Sequence, residues 1–240
     1  IENKAEADKI IDQVLINKRS RERSEKERLN IKNTLQKGNE AINHIPKFVD
    51  CRSRDTSERE LFIVEGDSAL GSCKLARDAN FQAIMAVRGK ILNCLKAEYN
   101  KIFKSEIITN LIKVIGCGVE VVTKANKDLS TFNIDNLRWN KVIICTDADY
   151  DGFQIPALIL TMIHRHMPTL IDEGRIFIAE TPLYEINTKD KAYFAYNDSE
   201  KAEILEQIGN SKYTIQRSKG LGENQPDMMN MTTMNPASRR

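Results

Sequence analysis

The chain has 240 residues, of which 41% are hydrophobic and 29% charged, and its formal net charge is +2. These values predict a soluble globular protein of one good-sized domain, alone or with appendages, and exclude a uniformly basic nucleic-acid binder, so any such surface must be a local patch. No apolar run approaches the ~18 residues of a membrane span, and five scattered cysteines without a signal peptide predict reduced, cytosolic thiols.

Residues 1–59 are predicted to form a charged helix followed by a linker. A short apolar stripe over residues 10–15 precedes an almost entirely polar run, which is typical of a solvated helix joining two domains. A plain surface helix and a nucleic-acid contact are the alternatives, the second less favoured. Residues 38–59 are polar and carry few periodic apolar positions. Because the chain begins with Ile1 and stops at Arg240, we expect a piece of a longer protein.

Residues 60–188 alternate short apolar runs with amphipathic segments. Strands that alternate with helices imply βαβ units, so we predict an α/β domain with a mainly parallel sheet and helices on both faces. The helix over residues 105–116 has Ser105 as N-cap and Gly116 at its end. The predicted strands are 61–64, 81–87, 141–146 and 175–180, and the other predicted helices are 68–79 and 155–167.

The remaining residues, 189–240, carry fewer signals. Residues 192–196 could form a strand, and residues 197–209 are predicted to be a helix capped by Asn197. We expect the methionines between 228 and 234 to pack a helix rather than to bind a ligand.

Two further segments have ordinary structural interpretations. Residues 88–104 are basic with interleaved apolar side chains, which by itself favours an amphipathic surface helix. His164 and His166 lie two apart on a predicted helix and therefore face different sides, which argues against a shared metal.

Acidic residues follow two of the predicted strands. Glu65 comes directly after residues 61–64, and Asp147, Asp149 and Asp151 follow residues 141–146. In open α/β sheets, sites form outside the carboxyl ends of strands. Crowded carboxylates repel one another unless a cation offsets the repulsion, and oxygen-only ligands suit Mg²⁺. A solvated acidic turn is the alternative; an EF-hand is excluded because its terminal Glu is missing.

Five motifs place this chain near a known family. "EGDSA", "RGKILN", "TDADYDG", "PLYEI" and "KGLGE" occur in the order found in bacterial type IIA topoisomerases. Over residues 60–240 the chain resembles the C-terminal half of their B subunit, as in DNA gyrase or topoisomerase IV. The resemblance implies a Rossmann-like TOPRIM domain at 60–188, the start of a C-terminal tail at 189–240, and at 1–59 a helix and linker from an upstream ATPase and transducer region.

The resemblance also implies site residues. The family's metal ligands fall on Glu65, Asp147 and Asp149, with Asp151 as the remaining acid, and the expected ion is Mg²⁺, with Mn²⁺ as the alternative. It implies a catalytic role in proton transfer for Glu65 at the 3′ oxygen of the DNA. The implied DNA contacts are Arg88, Lys90 and Asn93.

The expected partners follow from the same resemblance. An A subunit, in an A₂B₂ tetramer, supplies the tyrosine that cleaves double-stranded DNA. ATP is bound only by the upstream domain, so this chain alone is expected to be inactive. No membrane association is expected, and the expected location is the bacterial cytoplasm, at the nucleoid.

The chain departs from the family pattern at Leu70, Gln154, Pro156 and Ser218. The first three lie beside the expected ligands, where outer groups orient ligands and tune affinity. A divergent paralogue and a non-catalytic module that docks the A subunit therefore stay open, as does the choice between gyrase and topoisomerase IV. Other TOPRIM enzymes, such as a primase or an overcoming-lysogenisation-type nuclease, lack "RGKILN" and "KGLGE".

Overall fold

The computed structural model describes residues 12–22, 25, 45–89, 91–120, 132–147, 153–218 and 220–240. The chain divides into two compact units, residues 1–40 and residues 41–240. In the first unit, residues 12–22 form helix α1, and all of them are exposed, as expected for a solvated helix. No helix in the described ranges is both long and apolar enough to cross a membrane.

A five-stranded sheet organises the second unit, in the order β1-β3-β2-β4-β5. Strand β2 pairs in parallel with both β3 and β4, β4 pairs in parallel with β5, and β1 is an antiparallel edge strand on β3. The mainly parallel sheet is therefore confirmed, and the added edge strand lies in the predicted linker. The strands are β1 (Phe48–Val49), β2 (Glu60–Glu65), β3 (Gln82–Val87), β4 (Lys141–Cys145) and β5 (Ile176–Ile178).

Helices flank this sheet close to the predicted positions. The helix expected at 105–116 begins after Ser105 and ends at Gly116, whose φ of 94° suits a residue without a side chain. The helices are α2 (Gly66–Ala76), α3 (Tyr99–Ile102), α4 (Glu106–Ile115), α5 (Gln154–His166) and α6 (Thr169–Asp172).

The helix predicted from the basic pattern of residues 88–104 is wrong. Of the described residues in this segment only α3 is helical, and residues 91–98 form turns and irregular backbone. The Asn93 side chain accepts a hydrogen bond from the Leu95 N–H (3.0 Å), which bends the chain. Arg165 on α5 donates to the carbonyls of Cys94 and Ala97, so these carbonyls have partners outside any helix.

A second, antiparallel sheet follows, in the order β7-β6-β8. Its strands are β6 (Tyr184–Thr188), β7 (Ala192–Ala195) and β8 (Tyr213–Arg217), with helix α7 (Asp198–Ile208) between β7 and β8. The Asn197 cap of α7 is confirmed, because its side chain accepts from the Glu200 N–H at 2.8 Å. The chain then forms α8 (Pro226–Met229), which continues into a π-helical turn at Asn230–Met234.

The last helical turns belong to the same hydrophobic core as the first sheet. Met229 and Met234 pack with Phe62 and Cys145, so the methionines do pack a helix, although Met231 is 47% exposed. Arg239 donates to both carboxylate oxygens of Glu60, at 2.7 and 2.6 Å, and both side chains are largely buried. This ion pair ties the residues after the π-helical turn to the start of β2.

Candidate metal centre

Glu65 stands where β2 runs directly into α2. It is the last residue of β2 and the N-cap of α2, with no loop between them. Gly66 makes this sharp turn with φ at 81°, a left-handed value that costs glycine little. The Glu65 side chain is half-buried. Its charge lies at a helix N-terminus, where the unpaired backbone N–H groups favour an anion.

Asp147 lies at the same edge of the sheet, two residues after β4. In the parallel register of β2 and β4, Val64 is opposite Cys145, so both acids extend just beyond the paired residues. If ideal strand geometry continued past this register, with a spacing of ~4.8 Å and a rise of ~3.3 Å, the Cα atoms of Glu65 and Asp147 would lie about 6 Å apart. Two half-buried carboxylates at neighbouring strand ends form an oxygen-only donor set, which fits a hard divalent cation.

The other two predicted ligands, Asp149 and Asp151, lie outside the described residues. Among the residues that the structure does describe, no three His, Cys, Asp or Glu side chains form a group that could hold a metal. The assignment of all four acids to one ion therefore stays a prediction.

A hydrogen bond from the tail reaches Asp147, and sequence reasoning missed it. The Leu221 N–H, in the "KGLGE" motif, donates to Asp147 Oδ1 at 2.8 Å. Gly220 is so close that a Cβ on it would be 3.0 Å from Asp147 Oδ2. Leu221 is 74 positions from Asp147, so no local pattern could reveal the contact.

The floor beneath the two acids is apolar. Cys145 and Cys73 are completely buried, and burial raises the pKa of the Cys73 thiol to about 12. Burial, then the neighbouring Cys73 and the charge of Asp147, raises the pKa of the Cys145 thiol. Both groups therefore stay protonated and act as small apolar side chains beneath the site.

Asp67, the second acid of the "EGDSA" motif, has a different environment. It is exposed and pairs with Lys47 Nζ at 2.7 Å. The hydrogen bond from Lys47 lowers the pKa of Asp67, and the charge of Arg88 contributes to the same direction. Lys47 was missed because its segment was interpreted as a linker, and only the structure brings it to this edge.

A cavity of about 340 Å³ opens beside Asp147. It lies between the start of α5, the end of β5 and the loop that leads into α7, and Phe153, Pro156, Tyr196 and Glu200 are among its lining residues. Two departures from the family pattern can thus be placed: Pro156 is buried in this wall, and Gln154 is exposed at the first position of α5.

The predicted DNA contacts are only partly described. Arg88 follows β3, whose last residue, Val87, pairs with Glu65, so its exposed side chain lies at the same edge as the acids. Asn93 is exposed, and its side-chain oxygen accepts the hydrogen bond from the Leu95 N–H that forms a turn. Lys90 lies outside the described residues, so its place in the site stays a prediction.

The positions of His164 and His166 agree with the prediction that they face different sides of a helix. His164 is exposed, whereas His166 is completely buried and makes an edge-to-face contact with Phe103, with ring centroids 5.5 Å apart. They therefore face different sides of α5.

A mixed, mostly parallel sheet with acids at two neighbouring strand ends is the architecture of a Toprim domain. The Toprim domain family model matches residues 60–181, which is half of the chain, and the chain belongs to this family. The family model described as the carboxyl terminus of the DNA gyrase B subunit matches residues 210–240. Both matches confirm the resemblance that the motifs indicate.

Curated relatives extend the similarity to the whole chain. It is 41% identical over all 240 residues to the DNA gyrase B subunit of Metamycoplasma arthritidis, covering 36% of that protein. It is 43% identical over 239 residues to the gyrase B subunit of Archaeoglobus fulgidus, covering 99% of this chain and 35% of that protein. For Halalkalibacterium halodurans the identity is 42% over 241 residues, covering the whole chain and 36% of the relative. The chain thus spans about a third of the length of these relatives, within their C-terminal part.

Proposed function

We propose that this chain is the metal-binding part of a type IIA topoisomerase B subunit, which cleaves and reseals duplex DNA together with an A subunit. The observation that carries the proposal is the position of Glu65 and Asp147 at neighbouring strand ends of a Toprim domain. The similar proteins are gyrase B subunits, which favours gyrase over topoisomerase IV.

In this proposal Glu65, Asp147 and Asp149 hold Mg²⁺, or Mn²⁺ in its place, with Asp151 beside them. When bound, the ion would polarise a phosphoryl oxygen and stabilise the leaving 3′ oxygen. During resealing, the 3′ hydroxyl attacks the phosphorus that is bonded to the A subunit's tyrosine. Glu65 accepts the hydroxyl proton as the new O–P bond forms and the tyrosine leaves.

In this proposal Arg88, Lys90 and Asn93 contact the DNA. Arg88 is exposed next to the strand end that carries Glu65, where it can contact a phosphate near the acids. Lys90 and Asn93 extend this contact in the proposal. The A₂B₂ assembly, ATP binding by an upstream domain and action in the bacterial cytoplasm are further parts of it.

The test of the metal role is cleavage by a reconstituted complex. Glu65→Ala and Asp147→Ala, combined with wild-type A subunit and an ATPase-bearing B subunit, should lose Mg²⁺-dependent plasmid linearisation yet still form the tetramer on gel filtration. Removing one member of an acidic group relieves repulsion, so the fold should persist. Asp67→Ala is the matched control, because Asp67 is exposed and pairs with Lys47. Full cleavage by both strand-end variants would refute the proposal.

Loss of the tetramer in those variants would instead favour the second candidate, a module whose role is to dock the A subunit.

The DNA contact is tested separately. Lys90→Ala should weaken DNA binding and reduce the slope of log affinity against log salt by ~0.9, since each phosphate contact releases condensed counterions. Lys189→Ala is the control, because Lys189 is exposed on the turn between β6 and β7. An unchanged slope would remove Lys90 from the interface.

A further inference from the structure

A short glycine-containing segment of the tail, residues 220–224, touches both parts of the candidate metal centre. We call it the strap. At one point the Leu221 N–H donates to Asp147 Oδ1 at 2.8 Å. At another, the Gly222 carbonyl accepts a hydrogen bond from Ser72 Oγ on α2 at 3.2 Å. Helix α2 is the helix whose N-cap is Glu65, so the strap contacts Asp147 after one strand and the helix that begins at the end of the other.

The two glycines of the strap lie in tight surroundings, where an added Cβ would displace its neighbours. The backbone of Gly220 is extended, with φ at 174°, so any residue could adopt it. A Cβ there would nevertheless lie 3.0 Å from Asp147 Oδ2 and 3.3 Å from its Cγ. A Cβ on Gly222 would lie 2.4 Å from the Cβ of Ser68, in the first turn of α2. The strap therefore fits directly against the carboxylate of Asp147 and against the turn that follows Glu65.

The strap is itself held firmly. Leu221 is 1% exposed and packs with Phe62 and Cys145 of the central sheet. Asn224 is buried, accepts a hydrogen bond from Ser218 Oγ at 2.8 Å, and donates to the sulfur of Met229. A backbone amide anchored in this way is a fixed donor rather than a mobile one.

We propose that the strap is a positioning element for the metal centre, with the Leu221 amide orienting Asp147 and Gly222 supporting the first turn of α2 below Glu65. The inference rests on the proposed function, in which these two acids hold the ion. A carboxylate rotates easily about its terminal torsion, and a fixed donor on Oδ1 restricts that rotation. Loss of such an outer partner typically costs about 10–100-fold in metal affinity. Metal binding therefore needs residues 220–222 as well as the Toprim domain.

The experiment compares two substitutions of Leu221. Both Leu221→Ala and Leu221→Pro lose the buried side chain, but only proline loses the N–H and places a ring carbon where the amide hydrogen pointed. Proline is compatible with the backbone, because residue 221 is the first of a 3₁₀ helix and Gly220 before it has ψ at 158°. Mn²⁺ affinity of the 240-residue chain is measured by calorimetry, and folding by Trp139 fluorescence in urea.

We expect Leu221→Pro to bind Mn²⁺ at least about tenfold more weakly than Leu221→Ala. Equal affinities, or tighter binding by the proline variant, would overturn the inference. A second pair of variants keeps the test decisive if proline prevents folding. Gly220→Ala should bind Mn²⁺ several-fold more weakly than the wild type. Gly71→Ala should match the wild type, because a Cβ on Gly71 meets no atom within 4 Å. Equal binding by that pair would contradict the strap's role.

Failure of the proposed function gives a different result. In that case the wild-type chain shows no Mn²⁺ binding that Asp147→Asn weakens, and the inference falls with it. Wild-type binding that depends on Asp147 but not on the Leu221 amide contradicts the strap alone.

Discussion

Acid should destabilise this protein through His166 before most of its carboxylates titrate. His166 is completely buried in α5. Burial, followed by the charge of the neighbouring Arg165, lowers the pKa of His166 from 6.5 to about 4. In the unfolded chain the imidazole is exposed and takes up a proton near its ordinary pKa. The unfolded state therefore binds one more proton than the folded state between these two values.

The size of the effect follows from that difference. The pKa of His166 differs by about 2.5 pH units between the two states, and at ~1.4 kcal/mol per pH unit this amounts to about 3 kcal/mol. His166 is a base whose pKa is lower in the folded state than in the unfolded state, so a fall in pH destabilises the folded state. The stabilisation is complete above pH ~6.5 and is lost as the pH falls toward 4, because protons then favour the unfolded chain.

The measurement is urea unfolding of the 240-residue chain at several pH values from about 7.5 to about 4.5, which span the pKa difference. Trp139, the only tryptophan in the sequence, reports the transition because it is 2% exposed and its indole N–H bonds the Val114 carbonyl at 2.8 Å. His166→Gln should lose less free energy of unfolding over this range than the wild type, by most of the ~3 kcal/mol. His164→Gln, two residues away and exposed, should follow the wild-type curve. Parallel curves for wild type and His166→Gln would show that the reasoning is wrong.

Three other predictions concern stability and reactivity. Arg239→Met should lower the free energy of unfolding by ~3 kcal/mol or more because it leaves the buried Glu60 without its bidentate partner, and adding Glu60→Met should recover part of the loss in the same urea assay. Gly116→Ala should lower the melting temperature more than Gly174→Ala. Both glycines have positive φ, but a Cβ on Gly116 would lie 2.7 Å from Arg138 Nε, whereas a Cβ on Gly174 would meet no atom within 4 Å. Cys73, with its pKa raised to about 12 by burial, should react with a thiol reagent at mildly alkaline pH only as fast as the protein unfolds; rapid native labelling would contradict this.

The central strands β2, β3 and β4 were predictable because they are buried on both sides. Such strands appear in the sequence as unbroken apolar runs, and all three lie within or one residue beyond the predicted segments. Strand β5 also lies within its predicted segment, although Phe177 and Ile178 are exposed. The antiparallel sheet carries weaker signals. Strand β8 has only two alternating apolar positions, Tyr213 and Ile215, and all five of its residues are exposed, so its sequence pattern is too short to mark a buried strand.

The candidate site was predictable only as far as it depends on strand ends. Glu65 and Asp147 could be placed together because parallel neighbours end at one edge of a sheet. Lys47 and the strap could not, since their contacts depend on how distant segments fold back onto that edge. The wrong helix at 88–104 has the same cause: a distant side chain, Arg165, satisfies carbonyls that the local pattern assigned to a helix.

Two of the four departures from the family pattern, Leu70 and Ser218, lie close to the strap. Ser218, where the family pattern has Tyr, precedes the strap. Its hydroxyl donates to Asn224 in the strap at 2.8 Å, and its N–H donates to the Leu183 carbonyl at 2.9 Å. Leu70 packs against the core cluster that contains Leu221, on the helix that the strap touches. Ser218 thus contacts the strap directly, Leu70 packs against the cluster that contains Leu221, and neither residue is one of the strand-end acids. If the strap positions Asp147, substitutions of this kind would tune metal affinity while leaving the ligands themselves unchanged.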